Sequence, residues 1–456
     1  MELKKNDIIT VTVQALGSEG EGIAKVDGYP IFIKDAVPGD QIKAKIIKAK
    51  KTYGYARVEQ LLVSSEDRVQ PKCPVARQCG GCSLQHCSYE KQLQYKQNKV
   101  KDCLERIGGL VGIEQKMEPI LGMDEPWYYR NKAQFPVGTN KNGEIITGFY
   151  AGRTHAIIDN THCYIQAKIN EQILEMIKEF LIQYQIEPYK EESHTGLVRH
   201  ILTRVGFVTG EIMVCLILNG EQLPHAQHLI ERLQTIEGMK SISINVNKEK
   251  TNKILGNKVI TLWGSDTITD YIGDVKYQIS PLSFYQVNPI QTKVLYEKAL
   301  EYADLKGEET VWDLYCGIGT ISLFLAQKAK KVYGVEIIKE AIEDARNNAK
   351  LNGMDNVQFF VGKAEEILPE QYEKHQVYAD VIVVDPPRKG CDETLLQTMI
   401  TMQPKRIVYV SCDPATLARD LKVLCNNGYE VQKVQVVDQF GHTAHVESVI
   451  MMTRVK

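Results

Sequence analysis

The pattern of apolar and polar positions divides the chain into regions with different predicted folds. Near its start, apolar residues alternate with polar ones in IITVTVQAL, YPIFIKDAV and QIKAKIIKAK, and glycine-containing turns separate these segments. Alternation with a period of two is typical of half-buried strands, and short strands joined by such turns predict a compact β-barrel. We therefore predict a small β-barrel domain over residues 1–65.

From about residue 290 onward, apolar strand segments alternate with helical ones. The strands are TVWDLY, KVYGVEI, VQFFVG, ADVIVVD, RIVYVS, EVQKVQVVD and VESVIMM, with helices between the first five and none between the last two. This alternation predicts a mostly parallel sheet with helices on both faces. The final strand pair resembles that of class I S-adenosylmethionine-dependent methyltransferases, so the fold class predicted for residues 276–456 is α/β and Rossmann-like.

The intervening residues 66–275 mix strands with helices and predict an α+β central domain. A Gln- and Lys-rich helix is predicted over YEKQLQYKQNKVKDCLERI. A second, amphipathic helix is expected to begin with Asn170 as its cap. Its predicted buried face consists of Ile173, Ile177, Phe180, Leu181 and Tyr184.

Composition and charge exclude several classes of protein. The 456 residues are 43% hydrophobic and 25% charged with a net charge of −2, which is typical of a soluble globular chain. No apolar run is long enough for a membrane span, and MELKKND lacks the apolar stretch of a signal peptide. Eleven cysteines, an odd number, argue against a disulfide framework. We therefore predict a cytoplasmic protein with reduced thiols, no membrane contact and no obligate protein partner.

One segment of the barrel has the pattern of an RNA-binding surface. Between residues 41 and 58 there are six basic residues and no acid, with Tyr53 and Tyr55 among them. Cations neutralise phosphates and aromatic rings stack on unpaired bases, so this pattern favours single-stranded RNA. A solvated sheet face explains the segment equally well. The basic residues are Lys43, Lys45, Lys48, Lys50, Lys51 and Arg57.

A glycine motif after the first strand of the C-terminal region predicts a nucleotide-type cofactor site. In DLYCGIG, Gly317 and Gly319 let the backbone approach a ligand closely before a helix begins. Ser322 replaces the third glycine of a dinucleotide motif, which disfavours a pyrophosphate. Glu336 ends the second strand, where it could accept hydrogen bonds from ribose hydroxyls. The alternative is a turn that binds no ligand.

Three reactive residues are predicted at the same edge of this sheet. Asp385 ends the fourth strand in DPPR, and the Arg that follows argues against methylation of an exocyclic amine. Cys412 ends the fifth strand just before a helix capped by Asp413, where the helix dipole favours a thiolate. Glu447 opens the last strand after FGHTAHV and is predicted to be a base. A metal site formed by the two histidines and Glu447 is the alternative.

These residues fit methyl transfer to C5 of a pyrimidine. That carbon is too weakly nucleophilic to attack S-adenosylmethionine directly, whereas addition of a thiolate to C6 activates it. A base must then remove the C5 proton before the thiolate can leave. Cys412 would be the nucleophile and Glu447 the base.

Together, the motifs DLYCGIG, DPPRKG, SCDPATLARDL and HTAHVESV resemble the RNA (uracil-C5)-methyltransferase family. The resemblance covers nearly the whole chain and implies S-adenosylmethionine as cofactor and RNA as partner. It implies that the barrel is a TRAM domain and that YRNKAQF and VRHILTR face RNA. The first of these segments contains Arg130, Asn131 and Lys132, and the second contains Arg199, His200 and Arg204. The implied cofactor contacts are Gln286, Tyr315, Gly317, Gly319, Glu336 and Asp385.

The spacing of cysteines in the central region resembles that of the ribosomal-RNA branch of this family. There, Cys73, Cys79, Cys82 and Cys163 would hold a [4Fe–4S] cluster, and Gly80–Gly81 would permit the tight turn. Zinc is the alternative, because four thiolates also suit a tetrahedral structural site. Cys87 stands where the family usually has an apolar residue, so it competes with Cys163 as the fourth ligand.

The family pattern is broken at two further positions. Thr320 stands where some relatives have Asn, and Gly441 replaces a common Pro, which predicts a looser turn before Glu447. The sequence thus predicts a cytoplasmic enzyme that methylates uridine C5 in RNA, with 23S ribosomal RNA favoured over the T-loop uridine of transfer RNA. A cluster-dependent RNA-binding or redox-sensing protein without transferase activity is the remoter alternative.

Overall fold

The computed structural model describes residues 3–152 and 154–455, so the predicted outer ends at residues 1 and 456 lie outside the described residues. The first six strands of the chain are β1 (Ile8–Thr12), β2 (Ala15–Leu16), β3 (Gly22–Val26), β4 (Tyr29–Lys34), β5 (Gln41–Ala49) and β6 (Gly54–Val63). They form a six-stranded sheet in the order β1-β5-β6-β4-β3-β2. Alternate side chains such as Ile31, Ile33 and Ile42 are buried, which is the period-two pattern of a half-buried strand.

Helix α1 (Tyr89–Arg106) follows the cysteine-rich segment and packs on the C-terminal region, chiefly against its last helix. Ser88 caps it by accepting a hydrogen bond from the Lys91 amide, one of the backbone donors that a first turn leaves unpaired. Val100 and Leu104 are fully buried and belong to the same hydrophobic cluster as residues of the C-terminal helices. The helix therefore belongs by packing to the C-terminal unit, and the division of the chain at residues 65 and 275 stays a prediction.

The central region is a seven-stranded sheet covered by two helices. Its order is β13-β12-β11-β10-β7-β8-β9. The elements are β7 (Lys132–Thr139), β8 (Ile145–Tyr150), β9 (Ile157–Asp159), α2 (Ile169–Gln183), β10 (Val198–Val205), β11 (Ile212–Leu218), α3 (Ala226–Leu233), β12 (Met239–Val246) and β13 (Lys258–Gly264). Asn170 is not the cap of α2: Lys168 already has helical angles, so the helix begins at Ile169.

The C-terminal region begins with a hairpin and continues with alternating helices and strands. The elements are β14 (Ile268–Ile272), β15 (Val275–Ile279), α4 (Pro289–Ala303), β16 (Thr310–Leu314), α5 (Thr320–Ala326), β17 (Lys331–Glu336), α6 (Lys339–Leu351), β18 (Val357–Val361), α7 (Ala364–His375), β19 (Val381–Val384), α8 (Glu393–Met402), β20 (Arg406–Ser411), α9 (Pro414–Asn426), β21 (Tyr429–Val437) and β22 (Glu447–Arg454). Within the described ranges, no helix has both the length and the apolar character to cross a membrane.

The topology of this last sheet brings the predicted site to one edge. Its order is β18-β17-β16-β19-β20-β22-β21, with β22 antiparallel to both of its neighbours. Helices α4, α5 and α6 pack in one hydrophobic cluster and α7, α8 and α9 in the other. Strand order reverses between β16 and β19, and ligands of α/β sheets bind outside the carboxyl ends at such a point. Because β22 runs the opposite way, its first residue lies at this same edge.

Candidate active site

The loop after β16 forms the first side of the site. Tyr315, Gly317 and Gly319 have positive φ angles of 69°, 55° and 82°. A Cβ is strained in this region, which explains glycine at two of the three positions. The Gly317 amide donates to one carboxylate oxygen of Glu336 at 3.2 Å, and the Ile338 amide donates to the other at 3.0 Å. The structure thus joins the glycine loop to the acid at the end of β17.

The residue in place of the third glycine has a structural task. The Ser322 hydroxyl donates to the carboxylate of Asp313 at 2.5 Å, inside the protein. Burial raises the pKa of Asp313 to about 7, and the bond from Ser322 opposes that rise. This bond ties the first turn of α5 to β16, which a glycine could not do.

The surface beside the loop fits an adenosine-type ligand. A Cβ added to Gly317 would meet nothing within 4 Å, so the backbone there borders open space. Ile337 and Ile338 are 59% and 55% exposed directly after Glu336, and they offer apolar surface for a base. The Gln286 carbonyl accepts from the Asn131 side chain at 3.0 Å, which fixes the predicted glutamine segment to the central sheet. A carboxylate able to accept from hydroxyl groups, an open glycine backbone and this apolar surface together suit S-adenosylmethionine.

Cys412 and Glu447 lie close together at the end of the β20–β22 ladder. The ladder ends at the pair Ser411 and Ser448, so Cys412 and Glu447 are the next residues at this end, and the charge of Glu447 acts on Cys412. The structure therefore brings together the two residues that the sequence predicts as nucleophile and base.

Asp385 and Arg388 complete the charged groups around this pair. Burial, then Glu447 and Asp385, raise the pKa of Cys412 to about 11, while Arg388 opposes the rise. Burial and Asp385 raise the pKa of Glu447 well above its usual value, and Arg388 again opposes. Burial raises the pKa of Asp385 to about 7. The four side chains are thus within electrostatic range of one another.

The expected thiolate at Cys412 is not what the structure favours. Asp413 caps α9 as predicted, accepting from the Ala415 and Thr416 amides at 3.0 and 3.1 Å, with Pro414 in the first turn. The capping carboxylate therefore occupies the helix terminus that was expected to stabilise a thiolate, and its own charge raises the pKa of Cys412. Burial and the surrounding carboxylates therefore disfavour the thiolate form of Cys412.

Arg388 is a site residue to which the sequence analysis gave no role. Its charge acts on both Cys412 and Glu447, and its carbonyl accepts from the Thr416 hydroxyl of α9 at 3.0 Å. The signal was present in the sequence, because Arg388 lies three residues beyond Asp385 at the same strand end. Its position predicts that Arg388 lies in the same crevice as Asp385, beyond the carboxyl end of β19.

The cysteine segment brings four thiols into one neighbourhood. Burial, together with the smaller effects of Cys163, Cys79 and Cys73, raises the pKa of Cys82 to about 12. The segment that contains Cys79 and Cys82 contacts the end of β8, where the Gly80 amide donates to the Tyr150 carbonyl at 2.9 Å. Within residues 3–152 and 154–455, however, no group of three or more His, Cys, Asp or Glu side chains is arranged to hold a metal ion. The four thiols therefore lie close enough to affect one another's pKa, but the described residues do not arrange them as ligands of a metal ion.

Cys87 lies apart from this group. Burial raises its pKa to about 12, and the next largest effects come from Asp67 and Lys91 instead of other thiols. Cys163, in contrast, acts directly on Cys82. Of the two candidates for a fourth ligand, the structure places Cys163 beside the other three.

The barrel carries an aromatic and basic face that includes a residue missed from sequence. The rings of Phe32, Tyr53 and Tyr55 lie with centroids 5.6 to 5.9 Å apart. Lys50 donates to the Tyr53 hydroxyl at 2.8 Å. Phe32 is remote in sequence and joins the group because β4 pairs with β6, where it lies opposite Tyr55. Rings and cations therefore share one face of the sheet.

The central residues predicted to face RNA are mostly buried, which corrects that expectation. Asn131, His200 and Arg204 are only 4%, 6% and 2% exposed. Arg204 donates to the Ser283 carbonyl, so it joins the central sheet to the segment before α4. Lys132 lies opposite Arg204 across the ladder, and burial, then Arg204 and Arg130, lower its pKa to about 7.

The segment between β21 and β22, residues 438–446, is closely packed, although Gly441 predicts a looser turn. The Gly441 carbonyl accepts from the Tyr129 hydroxyl at 3.0 Å, and a Cβ there would lie 2.9 Å from the Met123 methyl carbon. The His442 ring stacks on Trp127 with centroids 3.7 Å apart. In the described chain no metal-type group includes this histidine.

Comparison with known proteins adds to this geometry. Residues 88–455 match the family described as tRNA (Uracil-5-)-methyltransferase, and residues 2–58 match the TRAM domain. An uncharacterized RNA methyltransferase of Halalkalibacterium halodurans is 56% identical over 99% of this chain and 98% of its own length. Another, from Clostridium tetani, is 52% identical over 99% of this chain and 97% of its own.

One solved structure is similar along the entire chain. It is the Pyrococcus abyssi tRNA (uracil-54, C5)-methyltransferase in complex with S-adenosyl-L-homocysteine, with a TM-score of 0.78 and 29% identity. The match covers 98% of this chain and 100% of that one. The predicted combination of a β-rich N-terminal domain with a class I methyltransferase fold is thereby confirmed.

Proposed function

The chain belongs to the tRNA (uracil-5-)-methyltransferase family, and from that premise we propose that it transfers a methyl group from S-adenosylmethionine to C5 of a uridine in RNA. The observation that carries the proposal is the proximity of Cys412 and Glu447 at the end of the β20–β22 ladder. Both lie at the sheet edge that also contains the glycine loop, Glu336 and Asp385. A thiol, a carboxyl group and a nucleotide-type loop at one edge suit covalent catalysis on a base.

The first step uses Cys412. Its proton leaves to water, the sulfur forms a bond to C6 of the uracil, and the C5–C6 electron pair moves toward C5 and O4. The Arg388 cation favours both the thiolate and the negative charge that develops on the base. The methyl group that becomes bonded to C5 would come from S-adenosylmethionine, whose sulfur–methyl bond breaks to leave S-adenosylhomocysteine.

The second step uses Glu447. Its carboxylate removes the C5 proton, the C5–C6 double bond forms again, and the bond between sulfur and C6 breaks to release Cys412. Burial raises the pKa of Glu447, and a carboxylate with a raised pKa is a stronger base once ionised. Glu447 then passes this proton to water, and the released Cys412 thiolate takes back a proton from water to replace the one lost in the first step, so the net release is one proton for each methyl group transferred.

The barrel supports RNA as the substrate. Phe32, Tyr53 and Tyr55 offer rings for stacking, and Lys50 and its basic neighbours offer charge for phosphates. The target uridine must leave its stack to reach Cys412, which is easiest where RNA is unpaired. We assign the barrel to binding the flanking nucleotides.

We favour 23S ribosomal RNA as the substrate, because the spacing of the four cysteines resembles the ribosomal-RNA branch of the family. Transfer RNA is the second candidate, since the similar solved structure is a tRNA (uracil-54, C5)-methyltransferase. The match to that transfer-RNA enzyme covers 98% of this chain, so it includes the N-terminal barrel. The barrel therefore does not favour ribosomal RNA over transfer RNA.

The experiment is methyl transfer from labelled S-adenosylmethionine to unmodified ribosomal RNA and, separately, to unmodified transfer RNA, followed by nucleoside analysis and mapping. We expect 5-methyluridine at one or two positions of the ribosomal RNA. Label in transfer RNA alone would keep the chemistry and overturn the substrate. Binding of S-adenosylmethionine without transfer to either RNA would overturn the enzymatic proposal in favour of an RNA-binding or redox-sensing protein.

We further propose that Cys73, Cys79, Cys82 and Cys163 hold a [4Fe–4S] cluster in the reducing cytoplasm. Their common neighbourhood and free thiols support it, and four thiolates are the usual ligand set of such a cluster. Anaerobic reconstitution should give four iron and four sulfide per chain, and the triple variant Cys73→Ser/Cys79→Ser/Cys82→Ser should give neither. Stoichiometric zinc without sulfide in the purified chain would contradict the assignment.

A further inference from the structure

Helix α1 presents one polar face to the segment that carries Glu447. Tyr89, Gln92, Lys96 and Lys99 are spaced by three, four and three positions, so they share one side of the helix. Each of the four is hydrogen-bonded to residues 438–446 or contacts them directly. We propose that this face, above all Lys96 and Gln92, positions Glu447 and sets the rate of removal of the C5 proton. The inference rests on the proposed function.

One of these contacts is a buried ion pair. Lys96 Nζ lies 2.5 Å from Asp438 Oδ1, and both side chains have 0% exposure. Lys96 also donates to the Phe440 carbonyl at 2.9 Å, and the Tyr89 hydroxyl donates to the second carboxylate oxygen of Asp438 at 2.7 Å. Burying two charges is costly unless their geometry is fixed by such further bonds. The pair therefore defines one position for the start of the segment.

Gln92 fixes the middle of the same segment. The His442 amide donates to Gln92 Oε1 at 2.9 Å, and the Gln92 amide nitrogen lies 3.2 Å from His442 Nδ1. The His442 carbonyl accepts from the amides of Ser83 and Leu84, both at 3.0 Å. His442 has a φ of +65°, a conformation that persists only when the surroundings impose it. These bonds supply that constraint.

Lys99 extends the contact to the N-terminal barrel. Its ammonium group donates to the Ala444 carbonyl at 2.9 Å and to the Ser18 carbonyl of the barrel at 2.8 Å. A single side chain thus joins the barrel, α1 and the segment that ends at Glu447. The barrel and the base are therefore held in one arrangement.

The position of Glu447 matters for one step only. A base must lie within hydrogen-bond reach of the proton it removes, and displacement by about 1 Å can cost on the order of 100-fold in rate. Cys412 directly follows β20 and precedes the helix that Asp413 caps, whereas the hydrogen bonds from Gln92 and Lys96 of α1 reach residues 438–446. Loss of the α1 contacts should therefore slow proton removal and leave methyl transfer intact.

The test measures the two steps separately in a single turnover with labelled S-adenosylmethionine and the RNA that serves as substrate. Formation and decay of the protein–RNA adduct are followed on denaturing gels. The variants are Gln92→Leu and the double variant Lys96→Met/Asp438→Asn, which removes both buried charges together. Lys101→Met is the matched control, because that lysine lies on the same helix and pairs with Glu114. Thermal melting confirms that each variant is folded.

We expect adduct formation within about threefold of the unmodified chain and adduct decay at least about tenfold slower, so that methylated adduct accumulates. The control should match the unmodified chain in both steps. Equal slowing of both steps, or decay at the normal rate in folded variants, would overturn the inference. Absence of methyl transfer by the unmodified chain would instead refute the proposed function.

Discussion

The two sides of the catalytic crevice are built in different ways. Cys412 is held by neighbours in sequence: its strand ends beside it, Ser411 donates to the Asp413 carbonyl at 3.1 Å, and Asp413 caps the following helix. Glu447 follows a segment held by α1, whose Lys96 lies 342 positions from its partner Asp438. Residues adjacent in sequence therefore position Cys412, whereas contacts between residues distant in sequence position the segment that precedes Glu447.

This difference divides the reaction as well as the structure. In the proposed chemistry Cys412 is needed from the first bond onward, while Glu447 is needed only after the methyl group has moved. Loss of Cys412 should prevent formation of the protein–RNA adduct. Loss of the contacts between α1 and residues 438–446 should lengthen the lifetime of that adduct. Each of the following predictions tests one side.

Removal of the thiol should have the largest effect. Cys412→Ala should lower methyl transfer by on the order of 10³-fold or more, because C5 cannot attack without addition at C6. RNA binding should persist, since the barrel is unchanged. Single-turnover transfer of label and an RNA-binding titration measure the two quantities. Cys425→Ala is the matched control, and turnover in Cys412→Ala near the control rate would refute the nucleophile.

Breaking the buried pair on one side should have the largest effect on stability. Lys96→Met alone leaves Asp438 charged and buried, and should lower the free energy of unfolding by about 3–5 kcal/mol. The double variant Lys96→Met/Asp438→Asn should recover most of that loss. Chemical denaturation measures both. A single variant as stable as the unmodified chain would show that the pair does not hold the segment.

The thiol should respond to pH as a group with a raised pKa. Below the Cys412 pKa of about 11, the thiolate fraction rises about tenfold per pH unit, so alkylation should be about 100-fold faster at pH 9 than at pH 7. Arg388→Gln should slow alkylation at a given pH, because the cation lowers this pKa. Peptide mapping by mass spectrometry follows the one cysteine. Lys389→Gln is the control, and a rate independent of pH would indicate a thiolate already formed at neutral pH.

Loss of the local cap should have the smallest effect. Asp413→Ala removes an acceptor from two amides of α9, and should lower the free energy of unfolding by about 1 kcal/mol. Denaturant unfolding measures it, with Asp413→Asn expected to retain most of the stability. If Asp413→Ala lowered the free energy of unfolding as much as Lys96→Met does, the local cap and the buried ion pair would not differ in the way proposed here.

The sequence predicted the parts of the site that depend on local order. Strand ends, the glycine loop and the capped helix follow from period and composition, and a parallel sheet necessarily gathers Glu336, Asp385 and Cys412 at one edge. Helix α1 was also expected, but its contacts with residues 438–446 were not, because period says nothing about distant partners. Phe32 was missed for the same reason. The raised pKa of Cys412 was missed because it depends on Glu447, Asp385 and burial together.

The most direct test of covalent catalysis is the mass of the adduct formed by Glu447→Gln. This variant is incubated with labelled S-adenosylmethionine and substrate RNA, then denatured and digested, and the peptide containing Cys412 is analysed by mass spectrometry. An amide cannot accept the C5 proton, so we predict that this peptide carries a methylated uridine nucleotide bonded to its sulfur. Free 5-methyluridine released at the unmodified rate with no adduct, or an adduct on another residue, would contradict the account.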